Sequence, residues 1–147
     1  MGVVTLRWVE ALMMVGTDSN GHSIVIGKSP NSKEEFAGMK PSDLLLLAVA
    51  SCAAYDVIEI LRKQREPMSN LKIECQGDQE AEPPYTFTRI HLKYLFEGQV
   101  DPLKAEKAIK LSEEKYCSVI STLRPGVPIS SDFEIHENQV RKGGQIP

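Results

Sequence analysis

The spacing of apolar positions along this chain changes several times, and each change predicts an element. Residues 3–10 (VVTLRWVE) and 12–15 are rich in β-branched and apolar side chains and predict two strands. Residues 16–21 (GTDSNG) are turn chemistry, and the Asn20-Gly21 step predicts a hairpin into a third strand over 22–27. Polar residues with Pro and Gly predict a loop over 29–40. Residues 41–65 then read as one long helix, apolar on nearly every face between Leu44 and Ala54, and such a helix is expected to be buried on all sides. It would span about 35 Å. Pro41 suits its first position, and Asp43 either caps the positive end or orients an arginine. Arg62, Lys63 and Arg65 suit the negative end, and Pro67 stops it.

Residues 71–77 alternate, as do 86–96, where Phe87, Ile90, Leu92, Tyr94 and Phe96 are the apolar positions and the alternation slips near Arg89. Two paired strands are expected, joined by a proline-containing turn over 80–84. Asp101-Pro102 starts a second helix, with Ala105, Ala108, Ile109 and Ser112 at helical spacing as far as about Tyr116. Residues 117–123 (CSVISTL) are apolar enough to be buried, 124–128 (RPGVP) break the chain, and 129–137 form a last strand. The order of strands, long helix, strands, helix and strand predicts an α+β fold in one domain over 1–147. Its parts are a small sheet over 1–28, a body over 41–137 and a frayed tail over 138–147.

Composition removes some function classes. Net charge is −3, which leaves no global basic footprint for nucleic acid. The longest uninterrupted apolar run stops at Asp56, short of the ~18 residues of a membrane span, and the first ten residues hold no signal region. Three cysteines in 147 residues are too few for a secreted disulfide framework, so a reduced, cytoplasmic setting is expected. There a paired thiol is more often catalytic than structural. The long helix is too apolar for small sheets of one chain to cover, which predicts an obligate homodimer.

Chemistry concentrates on the thiols. Cys52 lies in the middle of the long helix; alone it would read as a small buried hydrophobe. Cys117 follows Lys115-Tyr116. If a new helix starts at Ser118, its free N–H groups stabilise a Cys117 thiolate; if the helix continues, they do not. Cys75, in a strand pattern, reads as structural. No cysteine or histidine pair has zinc-site spacing, and His22, His91 and His136 stand beside no nucleophile. Asp56, one turn beyond Cys52, needs a partner: an Arg or Lys across the dimer, or a pocket that it lines.

Residues 41–57 (PSDLLLLAVASCAAYDV) resemble the cysteine-bearing helix of the OsmC/Ohr family of thiol peroxidases, and 116–123 (YCSVISTL) resemble its second cysteine segment. The likeness extends over roughly residues 6–136. It implies an intertwined α+β homodimer whose long central helices pack together against antiparallel sheets, with sites at the subunit interface. It also implies that Cys52 is the peroxidatic and Cys117 the resolving cysteine. Reduction of small organic hydroperoxides would follow, in an oxidative-stress role. An external thiol or dihydrolipoyl reductant would complete the cycle, with no resident metal or organic cofactor. Ser118 replaces the family's Pro. Ser42 stands where the best-studied members have Glu, and Asp43 is closer to the less characterised branch of the YhfA type. The Arg of the N-terminal sheet has no clear counterpart, which leaves Arg7, Arg89 and Arg124, from the same chain or its partner, as cations that could poise the Cys52 thiolate. The departures keep two other readings open: a non-catalytic protein binding a small apolar ligand at the dimer interface, and a thiol redox sensor.

Overall fold

The computed structural model describes residues 2–28 and 38–137. The tail expected over 138–147 lies outside them, as does most of the loop expected over 29–40. The chain forms two compact units, Met1–Leu45 and Leu46–Pro147.

In the first unit, β1 (Thr5–Glu10), β2 (Leu12–Thr17) and β3 (Ser23–Lys28) form the expected antiparallel sheet, in chain order. The β2–β3 turn is built by Asp18 as much as by Asn20-Gly21. Asp18 Oδ1 accepts the backbone N–H of Asn20 and of His22, each at 2.8 Å. Gly21 takes the left-handed φ of +90° that the turn requires. Apolar side chains of this sheet, Leu6, Trp8 and Leu12 among them, are exposed.

α1 (Pro41–Lys63) begins in the first unit and carries most of its length in the second. It stops two residues earlier than expected. Arg65 turns to φ +56°, Glu66 N–H reaches back to Leu61 O at 3.0 Å, and Arg65 N–H to Arg62 O at 3.0 Å. This is a Schellman closure with arginine at the position glycine usually holds. The second unit continues with β4 (Met68–Gln79), β5 (Phe87–Gly98), α2 (Pro102–Leu111), a π-helical turn (Ser112–Tyr116), α3 (Ser118–Leu123) and β6 (Ile129–His136).

The strand order is β4-β5-β6. β4 and β5 are antiparallel, as expected, but β6 runs parallel to β5, so this sheet is mixed rather than wholly antiparallel. The helical connection from α2 to α3 is long enough to return the chain to the end where β5 began, which a hairpin cannot do. The slip near Arg89 is a β-bulge. Asp78 faces Arg89 while Gln79 faces Phe87, and Thr88 is the extra residue. Phe87 lies over Gly77, where a Cβ would come within 2.4 Å of its ring.

Val49, Ala53, Val57 and Leu61, spaced every fourth residue on α1, are fully buried. They share one core with Ile90, Leu92, Tyr94 and Phe96 of β5 and with Ala105 and Ala108 of α2. Each buried Val or Leu contributes about 1.5–3 kcal/mol. The expected burial on all sides is not reached within one chain: Leu47 is 49% and Tyr55 76% exposed. By length and composition α1 is also apolar enough to cross a membrane, with a mean hydropathy of 2.1 over its best window. The uninterrupted run still stops short at Asp56, which breaks it without lowering the average much. Core helices of soluble proteins reach the same values, and the buried stripe of α1 serves the core of this unit.

Candidate functional site

The chain brings Cys117 to Cys52. α2 starts as expected, with Asp101 Oδ1 accepting from Leu103 N–H at 2.8 Å and Lys104 N–H at 3.1 Å, and Pro102 in the first turn. At Ser112 the helix widens into the π-turn, closed by a 2.7 Å bond from Cys117 N–H to Ser112 O. Cys117 then leaves helical geometry (φ −71°, ψ 102°) and caps α3, its Sγ accepting from Ile120 N–H at 3.5 Å. Of the two arrangements open to the sequence, the broken one is realised, without the proline. The extra residue of the π-turn ends the regular ladder and does the work that proline would do at position 118.

Cys117 is almost wholly buried and Cys52 half-buried, and their thiols lie within hydrogen-bonding reach of each other. Burial, and then the hydrogen bond with Cys52, push the Cys117 thiol up to about 11. The N–H groups of Ile120 and Val119 pull the other way and are outweighed. The benefit expected from a new helix at Ser118 exists but does not decide the ionisation of Cys117.

Two residues of the π-turn fix this arrangement. Ser112 is fully buried; its hydroxyl is 3.1 Å from Asp56 Oδ2 and 3.3 Å from the Ala53 carbonyl, to which it donates. Within the chain, Asp56 thus has Ser112 as a donor. Glu113, also buried, accepts from Tyr94 O–H at 2.9 Å through Oε1 and from Ser131 O–H at 3.2 Å through Oε2. The Tyr94 phenol is pushed far above its usual range, by burial first and then by the Glu113 charge. Ser112 and Glu113 are the buried polar side chains among the described residues. Sequence reasoning missed the roles of both. Ser112 stood in the apolar recurrence of α2, and a hydroxyl in such a stripe is the signal that could have exposed it. Glu113 gave no signal, since its acceptors' donors lie on strands far along the chain.

Arg89 and Arg124 belong to the same unit as the two thiols. Arg89 is engaged by Asp78, with Nη2 at 2.6 Å and Nε at 3.0 Å from Oδ2. Arg124 is exposed at the end of α3 and makes no ion pair among the described residues. Within one chain, Arg89 is thus paired with Asp78. Arg7 lies on β1 of the first unit, opposite Val15, and Asp43 is exposed in the first turn of α1. Cys75 is half-buried on β4, and burial raises its thiol to about 11. His91 bridges Ser130 and Asp132, each at 2.8 Å, on the solvent side of the sheet. No cluster of three or more metal-binding side chains occurs among the described residues. A cavity of about 620 Å³ runs along the exposed side of α1, lined by Tyr55, Ile58, Glu59, Arg62 and Lys63, and begins one turn beyond Cys52.

The family model for OsmC-like proteins matches residues 31–132. Protein YhfA of Escherichia coli K12 is 30% identical over 131 residues, covering 88% of this chain and 95% of YhfA. The crystal structure of a hypothetical protein from Aquifex aeolicus superimposes with a TM-score of 0.83 at 30% identity, covering 95% of this chain and 98% of that one. The organic hydroperoxide resistance protein OhrB of Bacillus subtilis shares the fold, with a TM-score of 0.61 at 19% identity over 91% of this chain and 98% of its own.

Proposed function

This chain belongs to the OsmC-like family, and we propose that it is a cytoplasmic two-cysteine thiol peroxidase, acting as a homodimer on small organic hydroperoxides. The Cys52 thiolate attacks the outer oxygen of the hydroperoxide. The O–O bond breaks, the alcohol leaves with a proton, and Cys52 becomes a sulfenic acid. Cys117 attacks that sulfur, water leaves, and a Cys52–Cys117 disulfide forms. An external dithiol, such as a dihydrolipoyl group, takes up the oxidation as its own disulfide and returns both thiols. No resident cofactor enters these steps.

One observation carries the reading: two thiols 65 positions apart in the chain lie within hydrogen-bonding reach of each other. The mechanism requires that proximity, a nucleophile and a resolver able to meet. The hydroperoxide resistance relative of the same fold supports the substrate class. The exposed Leu47 and Tyr55 of α1 support the dimer, since an apolar helix face of this kind needs cover. The cavity beside Tyr55 and Ile58 favours a second reading, a non-catalytic protein holding a small apolar ligand.

Intact mass and thiol counting on the reduced protein, before and after one equivalent of cumene hydroperoxide, separate the two. The peroxidase loses two hydrogens, mapped to Cys52 and Cys117 with Cys75 free. Cys52→Ser abolishes the reaction, and Cys117→Ser stops at the sulfenic acid. Three thiols still free after minutes would reject the peroxidase and leave the ligand-binding reading.

A further inference from the structure

We propose that Ser112, with Asp56 as its acceptor, is the positioning residue that holds Cys117 in line with Cys52 for disulfide closure. The inference rests on the two-cysteine reading above and adds residues that it does not name. Ser112 bonds to both thiol-bearing segments at once. Its side chain donates to Ala53 O and Asp56 Oδ2, in the turn of α1 that follows Cys52. Its main-chain carbonyl accepts the N–H of Cys117 at 2.7 Å. On the opposite side Glu113 ties the same π-turn to β5 and β6 through Tyr94 and Ser131. The turn is thus clasped between the Cys52 helix and the sheet.

Closure demands motion of a specific size. The sulfurs must pass from hydrogen-bond separation to about 2.05 Å, and the angle of approach matters as well. The π-turn that carries Cys117 lacks the regular i→i+4 ladder, so its place rests on side-chain bonds. Without the Ser112 hydroxyl, the turn keeps its sheet anchor and loses its register on α1. The Asp56 carboxylate and the Ala53 carbonyl lose a donor together. A displacement of about 1 Å in a reacting group slows a step by as much as about a hundredfold. The step affected is resolution alone, because attack on the hydroperoxide uses Cys52 on an intact helix.

The test is rapid-quench kinetics on the reduced full-length protein with cumene hydroperoxide. Sulfenic acid is trapped with dimedone, and the disulfide is read by intact mass. Ser112→Ala is expected to form sulfenic acid within about twofold of the parent rate, yet to close the disulfide about 10- to 100-fold more slowly. Asp56→Asn keeps an acceptor oxygen and closes within about threefold of the parent, whereas Asp56→Ala behaves like Ser112→Ala. A melting curve by circular dichroism accompanies each variant. Closure by Ser112→Ala at the parent rate overturns the proposal. So does an equal slowing of both steps, the mark of a general packing loss. A parent inert to the hydroperoxide sinks the peroxidase reading and leaves the clasp to a separate arm. Diamide takes two hydrogens directly from a thiol pair, and equal closure by parent and Ser112→Ala with diamide overturns the clasp on its own terms.

Discussion

Cys52 sits in the middle of an unbroken helix, whereas Cys117 sits on a single extended residue between a π-turn and a short helix. The helix fixes Cys52 by its own ladder of hydrogen bonds and needs no polar support. Cys117 has no ladder to rely on. Its place depends on two buried side chains, Ser112 and Glu113, which reach α1 on one side and the sheet on the other. The difference teaches that two chemically identical groups acquire different surroundings from their mounts. The thiol on the rigid mount is half-open; the thiol on the built mount is closed off, and burial raises it to about 11.

The strongest way to break this contrast is to remove the sheet-side anchor. Glu113→Leu leaves the Tyr94 and Ser131 hydroxyls without their acceptor and is expected to destabilise the chain by about 2–4 kcal/mol in urea unfolding. Glu113→Gln, which keeps an acceptor oxygen, costs about half as much. A Leu variant as stable as the parent would mean that the mount of Cys117 does not need the sheet.

Alkaline pH sharpens the contrast at a smaller scale. Cys75 and Cys117 both have thiols raised to about 11 in the fold, above their ordinary value of 9.0. Each therefore lends stability that is complete below pH 9 and is lost as the pH climbs from about 9 to about 11. Cys75→Ala should flatten part of that decline in unfolding midpoints measured across this range. An identical decline in both proteins would remove Cys75 from the account. The smallest effect belongs to the solvent side of the sheet. A double-mutant cycle on Arg89 and Asp78 should give the smallest coupling of the set, one that shrinks in salt, unlike either anchor of the π-turn.

Much of this was legible from the chain because the signals were local. The three strands of the first unit, the start of α1 at Pro41, the Asp101 cap and the slip near Arg89 each followed from neighbours a few residues apart. The two thiols emerged only through resemblance, since nothing in the spacing of Cys52 and Cys117 requires contact. The parallel run of β6 was hidden because strand direction depends on where a long connection returns, not on the strand's own pattern. The partners of Asp56 and Glu113 were hidden for a related reason: Ser112, Tyr94 and Ser131 are ordinary residues in their own segments. Only the superposition of α1, the π-turn and the sheet makes them donors. The arginines illustrate the converse. Arg89 was conspicuous beside the bulge, yet its charge is taken up by Asp78 on the adjacent strand.

The separation of the two cysteines along the chain has a thermodynamic consequence. A covalent link between Cys52 and Cys117 would close a loop of about 65 residues, and the chain-entropy argument assigns such a crosslink about 4 kcal/mol of stabilisation. Linkage makes the effect mutual: the crosslink favours the fold, and the fold, by holding the ends together, favours the crosslink. The oxidised protein would be the more heat-resistant form. Any reductant of that link would then work against the native architecture, which keeps the two ends of a long loop side by side.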